Sequence, residues 1–181
     1  DREKARLVWV YPGSVKAEEA QFAQPLLTYL KNLKRKPMAI GENVYRLLPV
    51  YLDTLFVEGE MAYGLDVSTF DATMPKWLIE EAFSILEGII DFNGPIKINN
   101  ELVGSNRYQV RKRKASWEFI KRYFIKTPLL FPNGSLYRKS GGVPSGSYLT
   151  SIIDSVCNDI ICNYLCAKSM GVWPRNLRCL G

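Results

Sequence analysis

Apolar residues recur at helical spacing in three long stretches of the chain. In the clearest stretch, paired apolar positions step by four: Ile152/Ile153, Val156/Cys157, Ile160/Ile161 and Tyr164/Leu165. A second helix is expected over residues 76–90, directly after Pro75, because proline is favoured at the first turn of a helix. A third is expected over residues 16–33, with Pro25 as a candidate interruption, and a shorter one near residues 117–123.

Shorter segments have the patterns of extended strands. Residues 5–11, closed by a proline and a glycine, predict a strand. Residues 62–67 form an apolar run that ends in acidic residues and predicts another. Residues 129–137 carry two short apolar segments around a Pro-Asn-Gly-Ser turn, which predicts a β-hairpin. Residues 177–180 have the pattern of a strand that is only beginning.

The order of these elements is strand, helix, hairpin, helix, strand. It is typical of an α+β fold, in which helices pack on one face of a mainly antiparallel sheet. With 47% hydrophobic and 23% charged residues in 181, the chain has an ordinary globular composition. No stretch reaches the ~18–20 apolar residues of a membrane span, so no membrane segment is expected. The chain opens on charges and ends abruptly, which is expected of a fragment.

The chain has no histidine, which excludes several kinds of site. Serine–histidine triads, histidine zinc sites and histidine acid–base catalysis are ruled out within it. Chemistry here must use carboxylates, lysines, hydroxyls and backbone groups. The four cysteines form no CxxC pair, and reduced core thiols are expected. These cysteines are Cys157, Cys162, Cys166 and Cys179.

Positive charge is concentrated in a few places. The net charge of +6 suits a protein that meets polyanions through one basic surface. Lys4 and Arg6 alternate with apolar residues on the first predicted strand, so both can project from one face and could hold a triphosphate. Residues 111–114 either contact RNA phosphates or form a solvated face, and the run at 31–36 indicates charge at a helix end.

Two aspartates, Asp66 and Asp71, follow the apolar run five positions apart. In a continuous strand this odd separation would point them to opposite faces. Both can face one site only if the chain leaves extended geometry after Val67 and turns toward the helix after Pro75. Carboxylates at one site suit magnesium. The alternative is that Asp66 ends a strand and Asp71 helps to cap a helix.

A loop rich in glycine and serine, residues 140–147, runs directly into the clearest helix. We call it the small-residue loop. Its glycines let the backbone approach a ligand, and the helix start offers unpaired N–H groups to anions. Ser145, Ser147 and Thr150 add hydroxyls that could contact ribose or phosphate. The alternative is a flexible loop with a serine N-cap. The loop is not a P-loop, because the Gly-Lys-Ser/Thr ending is missing.

Taken in order, these segments resemble conserved motifs of the RNA-dependent RNA polymerases of partitiviruses and related double-stranded RNA viruses. Residues 4–12 look like motif F, and Asp66 with Asp71 matches the D-x4-D of motif A. Residues 142–146, followed by Thr150, Asp154 and Ser155, match motif B. Residues 178–181 look like the approach to motif C. Single motifs are weak patterns, but three in register are specific.

The resemblance implies the palm of a right-hand polymerase with interleaved fingers segments, present incompletely. Residues 1–60 would be a fingers segment with motif F, residues 61–92 the palm strand and helix of motif A, residues 93–140 a fingers insertion with the hairpin, and residues 141–181 the motif B loop and helix with the start of the motif C strand.

The resemblance also implies roles for the charged residues. Asp66 would bind the catalytic magnesium, with manganese as the alternative ion. Two such ions activate the attacking hydroxyl and stabilise the leaving pyrophosphate. Asp71 would help to recognise the 2′-hydroxyl of the incoming ribonucleotide. Lys4 and Arg6 would bind its triphosphate.

The motif B residues would meet the template and the nucleotide. Ser145, Gly146 and Thr150 would form the loop and helix edge that contacts both. Asp154 stands where many viral polymerases carry asparagine, and it is placed with the same substrate-binding group. Expected partners are the RNA template and product and ribonucleoside triphosphates, with the capsid protein as a further candidate. The expected location is the virion and the host cytoplasm.

The two aspartates of motif C are absent from the 181 residues. Half of the metal site would then be missing, so this fragment alone is expected to be inactive. It is also expected to be poorly soluble, because removal of a central strand exposes a sheet edge and apolar surface.

Two other functions are weighed against RNA synthesis. Reverse transcriptases use the same palm and metals, but they usually carry an aromatic residue near the position of Asp71, and an acidic residue favours ribonucleotides. A non-catalytic RNA-binding remnant of a captured viral polymerase would lack the Asp-Asp pair expected after Gly181.

Overall fold

The computed structural model describes residues 9–33, 38–39, 45, 49, 63–174 and 177–179. The predicted triphosphate ligands Lys4 and Arg6, most of the first predicted strand, the basic residues 34–36 and Gly181 lie outside these ranges. Trp9, Val10 and Tyr11 are described and are not part of a strand.

Five helices and four short strands have both ends in the described ranges. The helices are α1 (Gly13–Lys31), α2 (Phe70–Thr73), α3 (Lys76–Ile89), α4 (Arg107–Ile125) and α5 (Thr150–Met170). The strands are β1 (Ile96–Ile98), β2 (Glu101–Val103), β3 (Pro128–Leu130) and β4 (Leu136–Arg138). None of these helices is long and apolar enough to cross a membrane.

Three of the long helices confirm the predictions made from the spacing of hydrophobic residues. Helix α3 begins directly after Pro75 and buries Leu78, Ala82 and Leu86 on one face. Helix α5 confirms the prediction from stepped apolar pairs. Helix α1 continues through Pro25, so the predicted interruption is wrong. The side chain of Pro25 is exposed, and water can hydrate the carbonyl that loses its helical partner.

Helix α4 is much longer than the predicted segment near 117–123, with 19 residues. It begins at a capping box, in which the Asn106 side chain accepts from the backbone N–H of Gln109 and the Gln109 side chain accepts from that of Asn106. The basic run at 111–114 therefore lies on a helix.

The strands pair as two antiparallel hairpins. The β3–β4 hairpin pairs Leu129 with Tyr137 and confirms the prediction. The β1–β2 hairpin, which pairs Ile96 with Val103, was not predicted. Its turn residues Asn99 and Asn100 have φ angles of 48° and 69°, a conformation that asparagine tolerates better than most residues.

The antiparallel α+β class is confirmed, but the arrangement differs from one sheet covered by helices. In the described ranges the hairpins form two separate sheets. Residues 63–67, expected as a strand, have no ladder there, and the segment at 177–179 contributes one parallel bridge between Met38 and Cys179. A strand needs a partner for its backbone groups, and these segments find almost none in the described part of the chain.

The core lies between the helices. Trp117 of α4 contacts Phe83 of α3 and Phe22 of α1, with ring centroids 5.5 and 5.2 Å apart. Phe83 also meets Phe124 edge-to-face at 5.2 Å. Helix α5 adds Ile152 and other apolar residues to the same cluster. This core fixes the start of α5, and with it the small-residue loop.

Candidate active site

The small-residue loop rests on helix α2 through backbone hydrogen bonds. The N–H of Val143 donates to the carbonyl of Asp71 at 2.6 Å, and the N–H of Gly142 donates to the carbonyl of Met74 at 2.8 Å. Gly142 and Val143 are buried at this contact. The two segments that the sequence singled out for chemistry are therefore held as one unit.

Two glycines of the loop are required by close approach. Gly142 has a φ of 77°, and a Cβ there would lie 2.6 Å from the carbonyl oxygen of Asp71. A Cβ at Gly146 would collide with the carbonyl oxygen of Trp9. The loop thus lies between α2 and the segment that precedes α1.

The chain turns between Asp66 and Asp71, as the sequence requires for a shared site. Ser68 and Thr69 form a turn, Thr69 has a left-handed φ of 51°, and α2 begins at Phe70. Both carboxylate side chains are exposed. The turn after Val67 is confirmed; the strand expected before it is not present among the described residues.

The donor atoms of this pair suit a hard divalent cation, because carboxylate oxygens are the ligands that magnesium prefers. Asp66 and Asp71 are both accessible to an ion from solvent. Within the described ranges, no group of three or more histidine, cysteine, aspartate or glutamate residues could hold a metal. The pair therefore fits part of a magnesium site, and further ligands are needed to complete it.

A lysine and an aspartate are buried beneath the loop. Lys139 donates from Nζ to the carbonyl of Gly142, and its ammonium lies 5.2 Å from the ring centroid of Phe124. Burial lowers the pKa of Lys139 to about 8, while nearby Asp154 opposes that shift. Burial raises the pKa of Asp154 to about 7; the charge of Asp71 adds to this and Lys139 opposes it.

Asp154 is only 2% exposed, and among the described residues its Oδ1 has no hydrogen-bond partner. The structure therefore places Asp154 under the loop and in electrostatic contact with Asp71, rather than at the loop surface. Its role in substrate binding stays a prediction.

A buried glutamate of α1 holds the other end of the loop. Glu19 is 0% exposed, and its carboxylate accepts from the Ser147 hydroxyl at 2.7 Å and from the Tyr148 N–H at 2.9 Å. Burial raises the pKa of Glu19, and the bonds from Ser147 and Tyr148 oppose that shift. This carboxylate ties α1 to the turn that leads into α5.

The hydroxyls predicted to meet the substrate differ in their surroundings. Ser145 is exposed at the loop tip, next to the half-buried Gly146. The Thr150 hydroxyl donates to the carbonyl of Pro144 at 2.7 Å, so it also braces the loop. The alternative of a serine N-cap is wrong, because Leu149 is the N-cap residue of α5, and its N–H donates to the Ser147 hydroxyl at 3.0 Å.

A family model described as viral RNA-dependent RNA polymerase matches residues 1–176. The chain belongs to this family. It is similar to the RNA-directed RNA polymerase of Cryptosporidium parvum virus 1 (strain KSU-1), at 30% identity over 176 residues, which is 92% of this chain and 28% of that protein.

A second relative is more distant. The RNA1 polyprotein of Broad bean wilt virus 1 is 28% identical over 166 residues, which is 89% of this chain and 8% of the polyprotein. The chain thus spans only a small part of the length of these relatives. No solved structure matches the chain. The family predicted from motifs F, A and B is confirmed.

The sequence did not predict the two charged residues that support the small-residue loop, Glu19 and Lys139. Glu19 could have been found, because it shares the helical spacing of the buried residues Val15, Phe22 and Leu26. A carboxylate at such a position needs a partner. Lys139 had no comparable signal, since its burial depends on contacts with Gly142 and Phe124 that the local sequence does not encode.

The structure separates the members of the basic run in α4. Arg113 is partly buried and donates to the carbonyl of Gly94 at 3.0 Å and to the Ser105 hydroxyl, so it links the two ends of the β1–β2 hairpin. Arg111, Lys112 and Lys114 are exposed. For these three, RNA contact and a solvated face both stay open.

Proposed function

We propose that this chain is the central segment of an RNA-directed RNA polymerase, which copies viral RNA from ribonucleoside triphosphates. The observation that carries the proposal is the backbone docking of the small-residue loop on α2, with Val143 N to Asp71 O at 2.6 Å. It holds α2, which carries Asp71, in fixed relation to the small-residue loop, and so supports a site in which a metal and a nucleotide would lie next to each other.

In this function Asp66 ligates the catalytic magnesium, or manganese in its place, through its exposed carboxylate. When bound there, the ion would supply Lewis-acid chemistry, which would activate the attacking hydroxyl and stabilise the leaving pyrophosphate. Asp71 accepts a hydrogen bond from the ribose 2′-hydroxyl. An acidic residue at this position, where reverse transcriptases usually carry an aromatic one, supports RNA synthesis over reverse transcription.

The residues that bind the substrate come from two further segments of the chain. Ser145 and Gly146, at the accessible loop tip, contact template and nucleotide, and Thr150 holds the loop edge. Asp154 belongs to the same substrate-binding group, and it lies close enough to Asp71 for the charge of Asp71 to raise the pKa of its carboxyl. Lys4 and Arg6 bind the triphosphate.

The fold proposed for the whole protein is a right-hand polymerase. Residues 61–92 and 141–181 belong to its palm, and residues 1–60 and 93–140 are interleaved fingers segments. The 181 residues contain no adjacent aspartate pair, so synthesis requires more of the protein than this segment. The working enzyme is placed in the virion and the host cytoplasm, with capsid protein as a candidate partner.

The test is primer extension by the full-length polymerase with Asp66→Ala. Loss of a metal ligand removes stabilisation of the transition-state charge, and a fall of at least about 100-fold in magnesium-dependent synthesis is expected. Glu101→Ala, at an exposed carboxylate on β2, is the matched control and should stay within about twofold. Normal magnesium-dependent synthesis by Asp66→Ala would contradict the mechanism.

A further inference from the structure

We propose that Glu19 is a positioning residue for nucleotide binding, because its carboxylate holds the C-terminal end of the small-residue loop in its binding conformation. The inference deepens the proposed polymerase function and rests on it. Glu19 lies on α1, outside motifs A and B, and it touches the loop rather than any substrate group.

The Glu19 carboxylate holds the whole turn before α5, either directly or through Ser147. One oxygen accepts from the Ser147 hydroxyl at 2.7 Å and the other accepts from the Tyr148 N–H at 2.9 Å. The Ser147 oxygen in turn accepts from the N–H of Leu149 at 3.0 Å. Three consecutive residues before α5 thus depend on a single side chain.

The burial of Glu19 indicates that its carboxylate serves the contacts with the loop. Glu19 is 0% exposed and occupies the same face of α1 as Phe22 and Leu26. A carboxylate at such a position costs desolvation, which an apolar residue of similar volume would avoid. The carboxylate supplies what an apolar residue does not, namely two acceptors aimed at the loop. Glu19 thus fixes the geometry of the loop at a cost in desolvation of its carboxylate.

The opposite end of the loop is fixed independently. Gly142 and Val143 dock on α2, and Lys139 bonds the carbonyl of Gly142. Between the two anchors the exposed residue is Ser145, beside Gly146. If the Glu19 anchor is lost, the tip is held from one end only, and a smaller fraction of molecules has it in the binding conformation. The apparent affinity for the nucleotide falls in proportion to the fraction of molecules that have the loop tip in the binding conformation.

The test uses the full-length polymerase with Glu19→Gln. An amide is isosteric but carries one acceptor oxygen, so either Ser147 or Tyr148 loses its acceptor whichever way the amide turns. The KM for ribonucleoside triphosphates should rise about tenfold, with kcat changed less than about threefold. Glu18→Gln is the control, because Glu18 accepts from Ser116 of α4 at 2.5 Å and does not contact the loop. It should leave KM within about twofold.

A double-mutant cycle with Ser147→Ala provides a second measurement. Ser147→Ala should raise KM as well, and the two changes combined should raise it by much less than the product of the single effects, because they break the same contact. Equal KM values for Glu19→Gln and wild type, an equal rise in Glu18→Gln, or multiplicative effects in the cycle would each overturn the inference.

These outcomes are distinct from failure of the proposed function. If Asp66→Ala abolishes synthesis while Glu19→Gln leaves KM unchanged and lowers only the thermal midpoint, the polymerase assignment stands and Glu19 is purely structural. If Asp66→Ala retains normal synthesis, the polymerase mechanism itself is wrong, and this inference is overturned with it.

Discussion

In the helical core, Trp117 packs against Phe22 and Phe83 through ring faces and edges, and several neighbours share each contact. At the small-residue loop, by contrast, position depends on single atoms: one N–H from Val143 to Asp71, and one carboxylate from Glu19. Apolar packing is non-directional and distributed, whereas a hydrogen bond is lost when one atom moves. Substitutions in the core should therefore change stability, and substitutions at the loop should change activity first.

The largest effect on stability is expected for Trp117→Ala. The side chain is 1% exposed, and its removal leaves a cavity beside Phe22 and Phe83. Unfolding should become easier by about 3–5 kcal/mol, measured as a shift in the denaturation midpoint. Trp77→Ala is the control, because Trp77 is 65% exposed on α3 and should cost far less. Equal losses for the two variants would contradict the description of this core.

The next largest effect is a loss of activity in Gly142→Ala, which tests the docking of the small-residue loop. The new Cβ meets the carbonyl oxygen of Asp71, and the φ of 77° is strained for alanine. The loop should undock from α2, and primer extension by the full-length polymerase should fall about 100-fold, with a modest drop in thermal midpoint. Gly88→Ala is matched, since a Cβ there meets nothing within 4 Å and helix α3 tolerates alanine. Near-normal synthesis by Gly142→Ala would mean that loop docking does not matter.

The same contrast explains which parts of the fold could be predicted from the sequence. The apolar spacing of α3 and α5 reports burial directly, and Pro75 marks the start of α3. The first half of α4 has too few apolar positions to show a period, although its capping box at Asn106 was available as a signal. The Asn99–Asn100 turn was likewise a local signal of the β1–β2 hairpin.

The site was predictable only where its residues belong to local motifs. Asp66, Asp71 and the glycines of the loop lie in short patterns with a chemical meaning. Glu19 acts 128 positions away from Ser147, and such a long-range contact leaves little trace in local composition. The strand expected at residues 62–67 shows the same limit, because strand pairing depends on a distant partner.

The last prediction concerns the charges beneath the loop, and Asp154→Asn tests how they make stability depend on pH. The folded pKa of Asp154 is raised to about 7, so the folded state holds a proton that the unfolded state releases between roughly pH 4 and pH 7. Stability is therefore fully present at low pH and is lost as pH rises through this window, by at most about 1.4 kcal/mol per pH unit.

The lowered pKa of Lys139 acts in the opposite direction above about pH 8, where stability rises with pH. The fall of the thermal midpoint between pH 4 and 7 should become smaller in Asp154→Asn, with the raised pKa of Glu19 leaving a residual slope. The pKa of Lys139 should fall further, because Asp154 no longer favours the ammonium. An unchanged pH slope in this variant would show that Asp154 is not the titrating group under the loop.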